Sequence, residues 1–290
     1  MRKIYEIYED DKYYPKNLIK VKNHPQKLYV MGNRKLLNND CVAIVGSRDN
    51  TVYGEFYASN FAKDLSSAGI TIISGLAVGI DSIAHKNSMC EEGKTIAVLG
   101  CGFYHIYPKE NTKLVDKILK NKGVVISEYP PETTANLSKF PMRNRIIAGI
   151  ADCTIVIEAK FRSGSGITAR QTLFQKKPVF CVPGRLGDKT GKGTNNLIKS
   201  GANILTDIND VLKLFNKDKI ESPEMSNLRI KNKYRAIYNL IKKTQMSQDE
   251  ISRTLNMEIY EVNTLLMEME LEGLVEVCSG NIVKIKEWEK

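Results

Sequence analysis

The chain has 290 residues, of which 42% are hydrophobic and 26% charged, the balance of a globular protein with room for one large α/β domain and a small second one. No apolar run approaches the ~20 residues of a membrane span, and the first residues, MRKIYEIYEDDKYYPKN, hold no apolar core and do not read as a secretory signal, so the expected compartment is the cytoplasm. The net charge of +10 points to an anionic partner; residues 226–290 carry 10 basic and 10 acidic side chains, so the whole surplus falls in the first 225.

Residues 1–40 contain Pro15, Pro25 and Gly32 and little periodicity, and read as a short leader packed onto the main domain. From residue 41 the pattern becomes short apolar runs, each followed by a helical stretch. Strands are predicted over 41–47, 70–75, 95–100, 124–127, 153–159 and 178–184, with a short one at 203–205. Helices are predicted over 52–69, 79–93, 112–123, 142–151, 166–177, 194–201 and 207–215. Alternation of buried strands with helices argues for an extended Rossmann-like parallel sheet covered on both faces, over residues 41–216. Ligands of such sheets bind beyond the carboxyl ends of the strands. Residues 217–232 are polar and read as a linker. Beyond them, helices at 233–243, 247–255 and 259–273 and strands at 274–277 and 281–285 make a small C-terminal winged helix-turn-helix. Ser247 and Glu250 stand in capping-box spacing at the start of its second helix.

Five strand ends are expected to converge on one rim with glycines, hydroxyls and cations suited to holding anions. Gly46, Ser47 and Arg48 end the first predicted strand: a glycine allows close approach, amides and a hydroxyl hold phosphate oxygens, and the guanidinium adds a bidentate contact. The same residues also fit a plain tight turn. Gly75 to Asp81 carries glycines four apart, which suit either ligand approach or helix-to-sheet packing. Lys139, Phe140, Arg143, Asn144 and Arg145 place three cations, an amide and an aromatic within seven residues, a combination that neutralises phosphates and stacks on a base. Phe140 also suits the core. Ser163, Gly164 and Ser165 lead into a helix as an anion nest, and residues 184–196 form a similar polar, glycine-rich loop. The GxGxxG fingerprint is missing, so no nicotinamide cofactor is expected. The six cysteines and three histidines lie in no ligand spacing, so neither a metal site nor structural disulfides are expected. No Ser-His-Asp or Cys-His grouping accompanies the motifs, and Asp81 and Glu158 have no partner acid, so no enzyme is assigned. The alternative is a nucleotide-phosphate-processing enzyme on a related fold, although the PGGxGTxxE pattern of nucleoside-monophosphate phosphoribohydrolases is absent.

Taken together and in order, YPKNL, HPQKLYVMG, AIVGSR, SGLAVGID, AVLGCG, YPKEN, SEYPP, FPMRNRIIAGI, VIEA, SGSGITA, VFCVPG and GTNNLIKSGA resemble the DNA-processing protein A (Smf) family. The resemblance implies non-catalytic binding of single-stranded DNA, loading of RecA recombinase during natural transformation or recombination, and a homodimer. By matching motif it implies DNA contacts from Arg48, Phe140, Arg143, Asn144 and Arg145; Lys139 is added from its charge. The chain departs from the common SGSLITA pattern by carrying Gly166 in place of leucine, which is expected to loosen that loop. The third helix of the small domain carries Glu258, Glu261, Glu268, Glu270 and Glu272 and no Lys or Arg. DNA-reading helices need donors and cations, so this domain is expected to contact protein or regulate the pocket.

Overall fold

Runs such as CVAIV and VVIS have no polar alternation and can only be buried on both faces. In the computed structural model, which describes residues 2–89, 94–217, 232–241, 246–271, 274–278 and 281–285, these runs form the centre of a nine-stranded sheet. Its strands are β1 (Ile4–Tyr8), β2 (Lys27–Gly32), β3 (Cys41–Val45), β4 (Thr71–Ser74), β5 (Thr95–Leu99), β6 (Val124–Ser127), β7 (Cys153–Val156), β8 (Val179–Cys181) and β9 (Asn203–Ile204), in the order β1-β2-β6-β5-β4-β3-β7-β8-β9. The strands from β6 to β9 are all parallel.

The first forty residues are not a leader lying on this sheet. They supply β1 and β2, which extend it antiparallel beyond β6. Backbone pairing of residues 29–32 with 124–127 integrates them into the same layer. The expectation of a separate leader is corrected accordingly, and the sheet is mixed at that edge.

The helices are α1 (Lys16–Ile19), α2 (Val52–Ser67), α3 (Ile80–Asn87), α4 (Thr112–Lys120), α5 (Lys139–Ile150), α6 (Gly164–Phe174), α7 (Gly191–Lys199) and α8 (Asn209–Leu212). Alternate residues of β3 feed opposite cores, as a pleated strand requires. Cys41, Ala43 and Val45 pack with Ile146, Ile147 and Ile150 of α5 and Ala169 of α6, while Val42 and Ile44 pack with Phe61 and Leu65 of α2 and Val211 and Leu212 of α8. The C-terminal end of α5 is closed by Lys177, whose Nζ donates to the carbonyls of Ala148, Gly149 and Ala151 at 2.9, 2.7 and 2.8 Å. A cation at a helix C-terminus satisfies its orphan carbonyls and complements the dipole.

The chain divides into two compact units, residues 1–220 and 221–290. The second is a winged helix with helices at Arg235–Ile241, Gln248–Leu255 and Ile259–Leu271. Its sheet has three strands, β10 (Met246–Ser247), β12 (Ile282–Ile285) and β11 (Val275–Cys278), one more than the expected hairpin. The capping box of Ser247 and Glu250 is formed. Tyr234, Ile237, Ile251, Leu266, Met269 and Val283 fill a core of its own. The expected linker, Cys90, Glu272 and the predicted hairpin tip at Ser279 and Gly280 lie wholly or almost wholly outside the described residues.

Candidate nucleic-acid interface

The strand order reverses between β3 and β7. From β3 the chain winds through β4 and β5 to β6 on one side; from β7 it winds through β8 to β9 on the other. A crevice opens at such a switch point, because the loops leaving the two central strands diverge. Here it is a cleft of about 390 Å³ whose lining includes Gly46, Ser47, Arg48, Phe140, Lys160 and Ser163.

The turn after β3 is fixed by packing. A Cβ at Gly46 would come within 2.5 Å of Ile80, and Gly79 (φ +79°) lies against the backbone of Ser47 and Arg48. Only glycine reconciles that φ with that approach. The Ile80 amide donates to the Ser47 carbonyl at 3.1 Å. Ser47 Oγ accepts from the Asp49 amide at 3.1 Å and donates to the Asp49 carbonyl at 2.9 Å. The structure bears out the tight-turn reading of Gly46-Ser47-Arg48: the glycine makes the turn, and the turn leaves Arg48 exposed. The guanidinium of Arg48 stands 5.9 Å from the centroid of the Phe140 ring. Phe140 is half-buried and also meets the ring of Tyr107, centroid to centroid 5.4 Å.

Beneath this rim lies a polar floor. Arg143 is only 4% exposed. Its guanidinium donates to the carbonyls of Gly75 and Val98 and to Asn144 Oδ1, and Asn144 Nδ2 donates to the Gly164 carbonyl at 3.2 Å. The pair thus ties α5 to the ends of β4 and β5 and to the start of α6. Asp81 Oδ2 accepts from the amides of Gly75 and Ala77 at 3.1 and 3.4 Å. Burial pushes the Asp81 carboxyl above its usual range, opposed by the Arg143 charge, and burial pushes Arg143 down to about 10, which leaves it cationic at neutral pH. Asp81 and the glycines around it thus organise the loop.

On the β7 side, Ser163 caps α6 by accepting from the Gly166 amide at 3.2 Å, and its hydroxyl lies 3.0 Å from that of Ser165. Ser163, Gly164 and Ser165, at the start of α6, line the cleft, and a helix N-terminus attracts anions. Glu158 is buried and fully engaged. It accepts from the Thr51 amide at 3.0 Å, the Thr51 hydroxyl at 2.6 Å and the Thr190 hydroxyl at 3.3 Å, and so pins α2 to the end of β7.

Of the expected contact residues, the structure brings Gly46, Ser47, Arg48, Phe140, Arg143, Asn144, Ser163, Gly164 and Ser165 to one cleft. Arg143 and Asn144 are its buried floor, and their polar groups are already bonded within the fold. Two expected residues are not among the lining. Arg145 Nη2 binds Glu128 Oε2 at 2.6 Å, with both side chains largely buried. Lys139 lies over the Tyr129 ring at 4.9 Å and donates to the Thr134 carbonyl. The expectation that all the cations of this run face one ligand is corrected: on a helix, Phe140, Arg143 and Asn144 share a face, whereas Lys139 and Arg145 point elsewhere. Two rim residues were not foreseen. Lys160, the residue after VIEA, lines the cleft and reaches Asp49 at 3.1 Å. Its signal was a cation directly after a strand end. Tyr107 left only the aromatic richness of its loop.

The model of DNA recombination-mediator protein A matches residues 6–216, and that of the DprA winged helix domain matches residues 223–281. The chain belongs to the DNA processing protein A family. Protein Smf of Escherichia coli is 32% identical over 97% of this chain and 77% of its own length. DNA processing protein DprA of Bacillus subtilis is 41% identical, covering 70% and 68%. The X-ray structure of DprA from Streptococcus pneumoniae superposes with a TM-score of 0.69 at 39% identity, covering 73% of this chain and 74% of that one. A structure of the Helicobacter pylori protein, described as giving insight into its single-stranded DNA binding mode, superposes at 0.67 with 32% identity, covering 74% and 98%. As in the DprA models, the sheet unit and the winged helix are separate matches, and the cleft belongs wholly to the first.

Proposed function

We propose that this chain binds single-stranded DNA at the switch-point cleft, without catalysing a reaction on it, and delivers the strand to a RecA-type recombinase as a cytoplasmic homodimer. The observation that carries the binding role is the exposed Arg48 guanidinium beside the Phe140 ring, above the capped start of α6. A cation, an aromatic face and a helix N-terminus serve phosphates and unpaired bases together. Duplex DNA hides its base faces and would engage the cation alone. The positive surplus of the sheet unit and the single-strand binding attributed to the H. pylori relative support the same reading, and the family description as a recombination mediator supports the delivery step. The best candidate carboxylates, Asp81 and Glu158, act as acceptors that hold the fold, which favours binding over catalysis.

The test is a salt-titrated binding assay on single-stranded and duplex DNA. Arg48→Ala is expected to weaken single-strand binding and to reduce the salt slope by about 0.7, one phosphate contact on a single strand. Phe140→Ala is expected to weaken it roughly tenfold. Arg145→Ala serves as the control, with affinity unchanged and stability lowered. Single-strand binding that is indifferent to both Arg48 and Phe140 overturns the assignment of this cleft.

A further inference from the structure

We propose that a second basic cleft, between the first turns of α6 and α7, holds the flanking nucleotides of the same strand. The inference rests on the single-strand reading above and extends it to a second subsite. The cleft measures about 370 Å³ and is lined in part by Lys160, Phe161, Arg162, Gly166, Arg170 and Asn196. Lys160 and Ser163 also line the first cleft, so a strand leaving one passes these two residues to enter the other.

Its chemistry repeats that of the first site with different residues. Three cations line it and no carboxylate does. Among the described residues, Arg162 and Arg170 form no ion pair. Two like charges around so small a volume repel one another, and an anion between them removes that repulsion. Phe161 is 60% exposed, with the guanidinium carbon of Arg162 5.6 Å from its ring centroid. An apolar ring left in solvent beside a cation offers the same stacking and phosphate contacts as Phe140 and Arg48. Arg162 is held at φ +61°, a left-handed conformation that L residues other than asparagine and aspartate seldom adopt.

Gly166 leaves the cleft open. A Cβ there would lie 3.4 Å from Arg170 Nη1 and 3.5 Å from Ser163 Oγ, ordinary contact distances. A larger side chain is therefore compatible with the backbone but would extend among the groups that line the cleft.

The experiment compares thymidine oligomers of about four and about twelve nucleotides, the span that one single-strand-binding module covers, on the full chain and three variants. Wild type is expected to bind the longer oligomer more tightly. Gly166→Leu, which raises helix propensity, and the double variant Arg162→Ala/Arg170→Ala are expected to remove that advantage and leave the shorter oligomer unaffected. The double variant should also reduce the salt slope on the longer oligomer by about 1.4, two phosphate contacts. Equal loss on both lengths, or no loss on either, overturns the second subsite. Arg48→Ala separates the two levels of failure. If it abolishes binding while the Gly166 and Arg162/Arg170 variants change nothing, the second subsite alone falls. If wild type binds neither oligomer, the single-strand reading falls with it.

Discussion

His85 shows how a side chain suited to chemistry is used for structure. It is fully buried, and its Nδ1 lies 2.8 Å from the Thr95 hydroxyl. That hydroxyl donates its own proton to the Ile72 carbonyl at 2.7 Å, which leaves Nδ1–H as the donor to the hydroxyl oxygen. Burial, assisted by the Arg143 charge, pushes the imidazole down to about 3. The unfolded chain takes up this proton near pH 6.5, whereas the folded chain refuses it until about pH 3. The sign follows: stability is intact above pH 6.5 and falls as pH drops, by up to about 1.4 kcal/mol per pH unit from this residue. Denaturant titrations at several pH values should show a shallower acid limb for His85→Gln than for wild type. An unchanged limb would remove His85 as a source of acid lability.

At the level of elements, α5 decides which residues of the cationic run reach the cleft. Its composition was legible in the sequence, and so were the strand ends it faces. The sorting of its side chains is hidden in composition, where the run is one block of charge; helical spacing places Arg145 about 140° around the axis from Phe140, where Glu128 receives it. The strands β1 and β2 were missed for another reason. Their pairing is non-local, residues 29–32 against 124–127, and no neighbouring helix announces them as crossover connections do. The far end of α5 offers a direct test. Lys177→Met removes the donor shared by three carbonyls, and a loss of about 2–3 kcal/mol is expected, read as a lower denaturation midpoint with an unchanged m value.

At the scale of the whole molecule, charge and chemistry are unevenly divided. The sheet unit carries the cationic surplus and both clefts. The second unit, residues 221–290, carries 10 basic and 12 acidic side chains, and of the glutamates on its third helix Glu268 pairs with Lys233 and Glu270 accepts from the Val277 amide. Glu258 and Glu261 remain exposed, a surface that repels phosphate. Deleting the chain beyond residue 220 is therefore expected to change single-strand affinity by less than about threefold and leave the salt slope in place. The same assay on the truncated and full-length chains checks this, and a collapse of the slope would assign a phosphate grip to the winged helix.

The reversal of strand order between β3 and β7 also has a bearing on synthesis. The two walls of the first cleft are encoded more than a hundred residues apart, at 46–48 and 160–165. A nascent chain that has emerged only through β6 carries Arg48 but neither Phe140 nor the capped turn of α6. Domains fold as units once their sequence is available, so the first cleft is completed late in translation, and a product terminated before α6 lacks one of its two walls.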